Sequence, residues 1–213
     1  MIFESHAHFE DSAFDEDREQ LLQKIHSGLI ETIVDVGSTL ESSRQALELA
    51  KTHDYIYAAV GIHPEEIKDF GIPGQMISEE VDGRPCRNFY PKQMPPDEIN
   101  WQDNPVMLEI KELAQNDRCV SIGEIGLDYY WVKDEKARAW QKYFFKAQLE
   151  MAAEMDLPVI VHSREAAADT FSIMKEATTN GVKAVIHSYS YSPEQARDYV
   201  DMGCYIGVGG VVT

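Results

Sequence analysis

The stretch CVSIGEIG at residues 119–126 decides the fold of this 213-residue chain. It is a short apolar run with β-branched residues, broken by one acidic residue, Glu124, and such a run is typical of a buried strand. An amphipathic stretch with helical spacing follows it, from about residue 134 to residue 156, and a shorter one precedes it. A buried strand between two helices predicts a parallel sheet made of βα units.

The same alternation of apolar runs and helical stretches continues through the rest of the chain. The other runs are Ile2 with Phe3, TIVDVG (32–37), YIYAAVG (55–61), PVIVHS (158–163), KAVIHS (183–188) and CYIGVGG (204–210). Seven strands and about six helices predict an α/β fold of the TIM-type (β/α) barrel class, incomplete because the last βα unit is absent from this chain. The alternative is an open sheet. Either arrangement would form a single domain over residues 1–213.

Residues 71–104 interrupt this alternation. They are rich in proline and glycine and show no clear periodicity. A connection of this length is uncommon inside a compact domain and is usually functional or mobile. We predict a loop insertion after the third strand, which is either a lid over the site or a passive surface excursion.

The chain is strongly acidic, with 37 Asp and Glu residues against 19 Lys and Arg residues and a formal net charge of −18. A protein that binds nucleic acid through many phosphate contacts normally carries a basic stripe, and this sequence has none. A polyanionic substrate would therefore need local attraction, which bound divalent cations can provide.

Features that bear on the compartment point to the cytoplasm. The three cysteines, Cys86, Cys119 and Cys204, share no metal-binding spacing and suit free thiols in a reducing environment. The sequence has no apolar run of 18 residues and no recognisable secretory signal. We therefore expect a cytoplasmic protein without a membrane partner; the oligomeric state is left open.

Five of the seven histidines lie where predicted strands end, and the acidic residue Glu124 lies there too. These histidines are His6, His8, His63, His162 and His187. In a (β/α) barrel the C-terminal ends of the strands form the active-site face, so these side chains are expected to converge. Imidazoles with a carboxylate suit Zn²⁺, Mn²⁺ or Mg²⁺. Their number exceeds the needs of one tetrahedral site, and a carboxylate can bridge two cations, so we predict two divalent metal ions.

The combined motifs resemble the TatD family of metal-dependent hydrolases. The motifs are the H-x-H pair, GIHP, GEIGLDYY, PVIVHSR, HSYS and GCYIGVGG. The resemblance implies an amidohydrolase-like barrel with deoxyribonuclease activity. It further implies that His6, His8 and Glu124 hold one metal, and that Glu124, His162 and His187 hold the second, with Glu124 bridging. By the same resemblance, His63 and Arg164 lie near the scissile phosphate.

Two departures from the family pattern stand out. The family usually has Asp two residues before the first ligand histidine, whereas this chain has Glu4, which is expected to adjust only a supporting contact. The family's last ligand is an Asp at the end of an eighth strand, and no such motif occurs before Thr213. The acidic residues beyond His187 are Glu194, Asp198 and Asp201, all on a predicted helix that leads away from the site.

The leading functional hypothesis is phosphodiester hydrolysis by a metal-activated water, on single-stranded DNA, DNA ends or a small phosphodiester. Glu124 and His63 are the predicted catalytic residues, and Arg164 and His63 the predicted substrate contacts. Asp128 and Tyr129 are expected to brace the loop beneath Glu124. Two alternatives remain: hydrolysis of an amide, lactam or ester on the same metal site, and a weakly active metal-binding fragment.

Overall fold

Parallel strands alternate with helices along most of the chain in the computed structural model, which describes residues 2–28 and 30–210. The strands are β1 (Ile2–Ala7), β2 (Ile30–Val36), β3 (Ile56–Val60), β4 (Gly74–Val81), β5 (Arg84–Pro91), β6 (Cys119–Asp128), β7 (Val159–Arg164), β8 (Ala184–Ile186) and β9 (Tyr205–Ile206). The helices are α1 (Arg18–His26), α2 (Leu40–Thr52), α3 (Pro105–Ala114), α4 (Glu135–Glu154), α5 (Ala167–Thr179) and α6 (Pro193–Asp201).

Seven of these strands form one parallel sheet in the order β1-β2-β3-β6-β7-β8-β9. The sheet curls into a half-barrel of the TIM type. This confirms the predicted α/β class and the incomplete barrel. Because all the strands run the same way, their C-terminal ends share one face, where a barrel places its site.

β6 is the central strand of the sheet, and nine of its ten residues are buried. Neighbouring strands cover its edges, and α4 lies against it with its long apolar stripe. In that layer the ring of Phe144 on α4 stacks on the ring of Phe70 at 3.5 Å between centroids. The apolar run at residues 119–126 is therefore explained by the strands and the helix that bury β6.

Residues 74–91, predicted as part of an irregular loop, form an antiparallel hairpin of β4 and β5. The prediction of an irregular loop is therefore wrong for these residues. In the turn between the two strands, Asp82 and Gly83 have φ values of +50° and +75°. Positive φ at both central residues is the type I′ turn, whose twist matches that of the strands. The hairpin is separate from the seven-stranded sheet, and the Asn88 amide on β5 donates to the carbonyl of Trp131 at 2.6 Å.

The helices are 9 to 20 residues long. Within residues 2–28 and 30–210, none of them combines the length and the hydrophobicity that a span requires.

Candidate active site

The first group of ligand atoms joins β1 to β6. His6 lies inside β1, His8 follows directly after it, and their Nε2 atoms are 3.0 Å apart. The His6 Nε2 atom is also 3.3 Å from the Oε2 atom of Glu124. The backbone N–H of His6 is bound by the Glu4 carboxylate at 3.1 Å, so Glu4 supports the backbone of this ligand. Three ligand atoms from two distant segments of the sequence thus lie close together.

The second group joins β6 to β7 and to the segment after β3. The Glu124 Oε1 atom is 2.9 Å from the Nδ1 atom of His162. The ring of His63 meets that of His162 edge to face, with centroids 4.4 Å apart. Ligand atoms of His63, Glu124 and His162 lie within 4.8 Å of one another, as do those of His6, His8 and Glu124. Glu124 therefore belongs to both groups, as a bridging carboxylate would.

His187 lies beside these groups. Its ring stacks on that of His6 with centroids 3.5 Å apart and planes 18° apart. Burial, with the proximity of His6, lowers its pKa to about 4, so the imidazole is neutral. A neutral imidazole can act as a metal ligand. The structure places His187 at the site, while His63 stands in the second group where the resemblance implies His187; its role as a ligand stays a prediction.

The donor set fits a divalent cation. Burial would raise the pKa of Glu124, but hydrogen bonds from His162 and His6 outweigh it and hold the pKa well below the usual range, so the buried carboxylate is ionised. The Nδ1 atom of His6 is buried and has no hydrogen-bond partner among the described residues. A buried anion among imidazoles, with polar atoms left unpaired, is the environment in which a cation is stabilised.

Asp128, at the end of β6, orients His162. It is fully buried, and its Oδ2 atom is 3.0 Å from His162 Nε2. Burial acts to lower the pKa of His162, but hydrogen bonds to Asp128 and Glu124 raise it to about 9. The Oδ1 atom of Asp128 accepts the backbone N–H of Trp131 at 2.9 Å. Asp128 thus holds the ring of His162 and also the turn that follows β6. The sequence predicts only that it supports the loop beneath Glu124.

His63 precedes the 3₁₀ segment Pro64–Phe70 and caps it. Its Nδ1 atom accepts the backbone N–H of Glu65 at 3.3 Å, which leaves the proton of the neutral ring on Nε2. Burial, together with the charge of His162, lowers the pKa of His63 to about 4. At neutral pH the ring can therefore donate a hydrogen bond from Nε2, which suits a substrate contact.

Two buried carboxylates that the sequence reading missed support the His6–His8 segment. Glu10 Oε1 is 3.5 Å from His8 Nδ1, and Asp35 on β2 accepts the backbone N–H of Phe9 at 2.6 Å. The second oxygen of each carboxylate is buried without a partner among the described residues. Asp35 is visible in the sequence as an acidic residue inside the apolar run TIVDVG, and that was the available signal.

A close approach of two backbones fixes the distance between β6 and β7. Gly126 has a φ of +146°, and a Cβ atom at this position would lie 2.0 Å from the carbonyl oxygen of His162. Only glycine fits this contact. Gly126 also pairs in register with His162, so the contact sets His162 relative to Glu124, two residues before it on β6.

Arg164 lies on the exposed rim, two residues after His162. Its guanidinium carbon is 4.0 Å from the centroid of the Tyr130 ring, and its nitrogens pair with no carboxylate in residues 2–28 and 30–210, although its charge acts on Glu65. A cleft of about 650 Å³ that includes His8 and His63 carries an acidic lining. Its carboxylates are those of Glu10, Asp11, Asp15, Glu41 and Glu124. Glu194, Asp198 and Asp201 are exposed on α6.

Comparison with known proteins agrees with this geometry. The family model described as TatD related DNase matches residues 3–213. The metal-dependent hydrolase YabD of Bacillus subtilis (strain 168) is 32% identical over all of this chain and 70% of its own length. The 3′-5′ ssDNA/RNA exonuclease TatD of Cronobacter sakazakii is 25% identical over 94% of this chain and 64% of its own length.

A solved structure has the same fold. The crystal structure of YjjV, a TatD homologue from Escherichia coli K12, superposes with a TM-score of 0.75 at 27% identity, covering all of this chain and 69% of that one. Together with the histidine and glutamate groups at the strand ends, these matches identify the chain as a member of the TatD family of metal-dependent hydrolases.

Proposed function

We propose that this chain hydrolyses phosphodiester bonds in single-stranded nucleic acid with the help of two divalent cations. The observation that carries the proposal is the sharing of Glu124 by the two ligand groups, each with two imidazoles. A carboxylate common to two groups is the arrangement of two-metal hydrolases that act on phosphate esters. Support also comes from the Cronobacter relative, whose name describes a single-strand exonuclease.

The residues present assign the metal-holding roles. His6, His8 and Glu124 would hold one cation, and Glu124 with His162 would hold the other, completed by His187, because the Nδ1 atom of His63 accepts a hydrogen bond and its Nε2 atom carries the proton. When bound, such cations neutralise phosphate oxygens and lower the pKa of water. Asp128 keeps the ring of His162 in place for this role.

The remaining polar groups act on the substrate. The neutral ring of His63 donates from Nε2 to a non-bridging phosphate oxygen, because its Nδ1 atom is occupied by the Glu65 N–H. Its lowered pKa makes this contact more favourable than a general-acid role at neutral pH. Arg164 offers a planar guanidinium at the rim for a neighbouring phosphate.

The test is the shortening of a 5′-labelled single-stranded oligonucleotide by the purified chain with Mg²⁺, Mn²⁺ or Zn²⁺. We expect Glu124→Gln to lower the rate by at least about 100-fold, because both ligand groups lose their anion. Glu194→Gln, which changes an exposed carboxylate on α6 in the same way, should keep the wild-type rate. An oligonucleotide that stays intact with all three metals would refute the proposal.

The acidic cleft favours a second candidate, hydrolysis of an uncharged amide, lactam or ester. The carboxylates of Glu10, Asp11, Asp15 and Glu41 repel a polyanion but not a neutral substrate. The same metal site would polarise a carbonyl as readily as a phosphoryl group. A panel of chromogenic amides and esters, run beside the oligonucleotide assay, separates the two candidates by which bond is broken.

A further inference from the structure

Three planar side chains form a cluster at the rim where β6 and β7 end. The Arg164 guanidinium carbon lies 4.0 Å from the Tyr130 ring centroid and 5.6 Å from that of Trp131. The two rings meet edge to face with centroids 4.7 Å apart. Arg164 is exposed and both rings are half-buried, so part of each side chain is open to solvent. We refer to Tyr130, Trp131 and Arg164 as the aromatic platform.

The aromatic platform is fixed to the candidate metal centre through one carboxylate. Asp128 holds the Trp131 N–H with one oxygen at 2.9 Å and pairs with His162 Nε2 through the other at 3.0 Å. Asp128 and Arg164 are also register partners across β6 and β7. A group lying on the platform is therefore next to the site where the reaction takes place.

Arg164 differs from the other arginines that lie over tyrosine rings. Arg118, over Tyr57, donates to the carbonyls of Ala50, His53, Asp54 and Ile56. Arg138, over Tyr129, donates to the carbonyls of Val132 and Tyr129. These two guanidinium groups hold the backbone. The guanidinium group of Arg164 makes no hydrogen bond within residues 2–28 and 30–210. Its N–H donors are therefore available to a ligand.

The charge around the candidate centre is divided between two sides. Carboxylates line the cleft beside His8 and His63, whereas the platform side carries Arg164 and the pair of Lys133 with Glu165, 3.4 Å apart. Lys133 donates to the carbonyl of Tyr129 at 2.9 Å and lies 5.7 Å from the Tyr130 ring centroid. An anionic strand is therefore repelled less on the platform side, where Arg164 has no carboxylate pair in the part of the chain that the structure describes.

We propose that the aromatic platform holds the nucleobase next to the scissile phosphate, so that the site takes strands whose bases are unpaired. This deepens, and rests on, the proposed function. Every base has a π-face that stacks on aromatic rings and on guanidinium planes, and only an unpaired, splayed base can reach them. The platform presents both kinds of plane together with unused donors for the adjoining phosphate.

The experiment measures binding apart from catalysis. The wild-type chain with Mg²⁺ is titrated with a phosphorothioate tetrathymidylate, which resists hydrolysis, and with the same backbone carrying abasic residues. Trp131 reports binding by fluorescence, because Trp101 and Trp140 are buried, with 1% and 6% exposure. We expect quenching and tight binding with the thymine strand, and an affinity about 10- to 100-fold lower with the abasic one.

Variants locate the base on the platform. Tyr130→Ala should lower the affinity for the thymine strand about tenfold or more without changing that for the abasic strand, and Tyr130→Phe, which keeps the ring, should restore it. Tyr205→Ala, which removes a 69% exposed ring from β9, should bind like wild type. Circular dichroism of each variant confirms folding.

Three results overturn the inference: equal affinity for the two strands, no binding of either strand, or a Tyr130→Ala affinity equal to that of Tyr205→Ala. The proposed function is judged separately, by cleavage of an unmodified oligonucleotide. If the chain cleaves the oligonucleotide but binds the two strands equally, the platform inference is refuted and the proposed function is supported. If binding depends on the base but no cleavage occurs, the platform inference is supported and the proposed function is refuted.

Discussion

Replacing Asp35 by asparagine should stabilise the chain more at alkaline than at acidic pH. Asp35 is fully buried, and burial, followed by the charge of Glu10, raises its pKa from 3.8 to about 7. Between about pH 4 and pH 7 the folded chain keeps a proton that the unfolded chain has lost. Because the folded state then binds more protons, the free energy of unfolding falls as the pH rises through this interval and stays low above it.

The size of the effect follows from the two pKa values. Each pH unit between 3.8 and about 7 costs the folded chain about 1.4 kcal/mol, so the full loss above pH 7 is about 4 kcal/mol. About 3 kcal/mol of it develops between pH 5 and pH 8. Asparagine keeps an oxygen for the Phe9 N–H and has no proton to lose. The gain in free energy of unfolding from Asp35→Asn should therefore grow by about 3 kcal/mol over this interval.

Urea unfolding followed by circular dichroism, at pH 5, 6, 7 and 8, measures this difference. A chelator is present throughout, because a cation near His8 would stabilise the ionised form of Asp35. Asp198→Asn, on the exposed face of α6, is the control and should follow wild type at every pH. If the Asp35→Asn and wild-type values differ by a constant amount from pH 5 to pH 8, Asp35 is not protonated in the folded chain and the reasoning fails.

Three further predictions concern the candidate site and the hairpin. Gly126→Ala should lower the free energy of unfolding by about 2 kcal/mol or more, because the added Cβ atom meets the carbonyl oxygen of His162. The variant should also hold less metal, as measured by mass spectrometry, and a variant with full metal content would contradict this. Asp128→Ala should weaken metal affinity about 10- to 100-fold in a chelator competition, since the ring of His162 loses its partner; unchanged affinity would count against that role. Gly83→Ala, at a φ of +75°, should cost about 1 kcal/mol in thermal unfolding while Gly83→Asn costs less, and equal stability of the two would argue against the type I′ turn.

The sheet could be predicted from the sequence because buried parallel strands leave continuous apolar runs. β6 and β7 occur where the runs CVSIGEIG and PVIVHS lie. β1 is longer than its apolar start, since it spans Ile2–Ala7 although only Ile2 and Phe3 read as a strand. Polar ligands occupy its second half, and no hydrophobic pattern marks a strand whose side chains form a site.

The hairpin could have been predicted from one dipeptide. Asp-Gly is a strong signal for a two-residue hairpin turn, and it occurs at 82–83. The flanking strands hide it, because most side chains of Gly74–Val81 are partly or fully exposed and show no apolar run. A two-stranded sheet that buries only a few of its residues, such as Phe89 on β5, has little burial to record in its sequence.

The sequence predicts which residues belong to the candidate site, but not which of them lie in contact with one another. Strand ends that share one face bring His6, His8, Glu124 and His162 together, and this follows from topology alone. Distances do not follow from it. The sequence cannot show that the ring of His187 stacks on His6 at 3.5 Å, because side-chain rotamers and neighbours decide it.

The acidic lining of the cleft has a consequence for how ionic strength acts on this chain. With a net charge of −18, the molecule repels an approaching oligonucleotide, and monovalent salt shortens the range of that repulsion from about 30 Å at 0.01 M to about 8 Å at 0.15 M. Association with an anionic strand should therefore speed up as salt is added over this interval. Proteins that hold DNA by a basic surface show the opposite trend, because salt competes with their phosphate contacts.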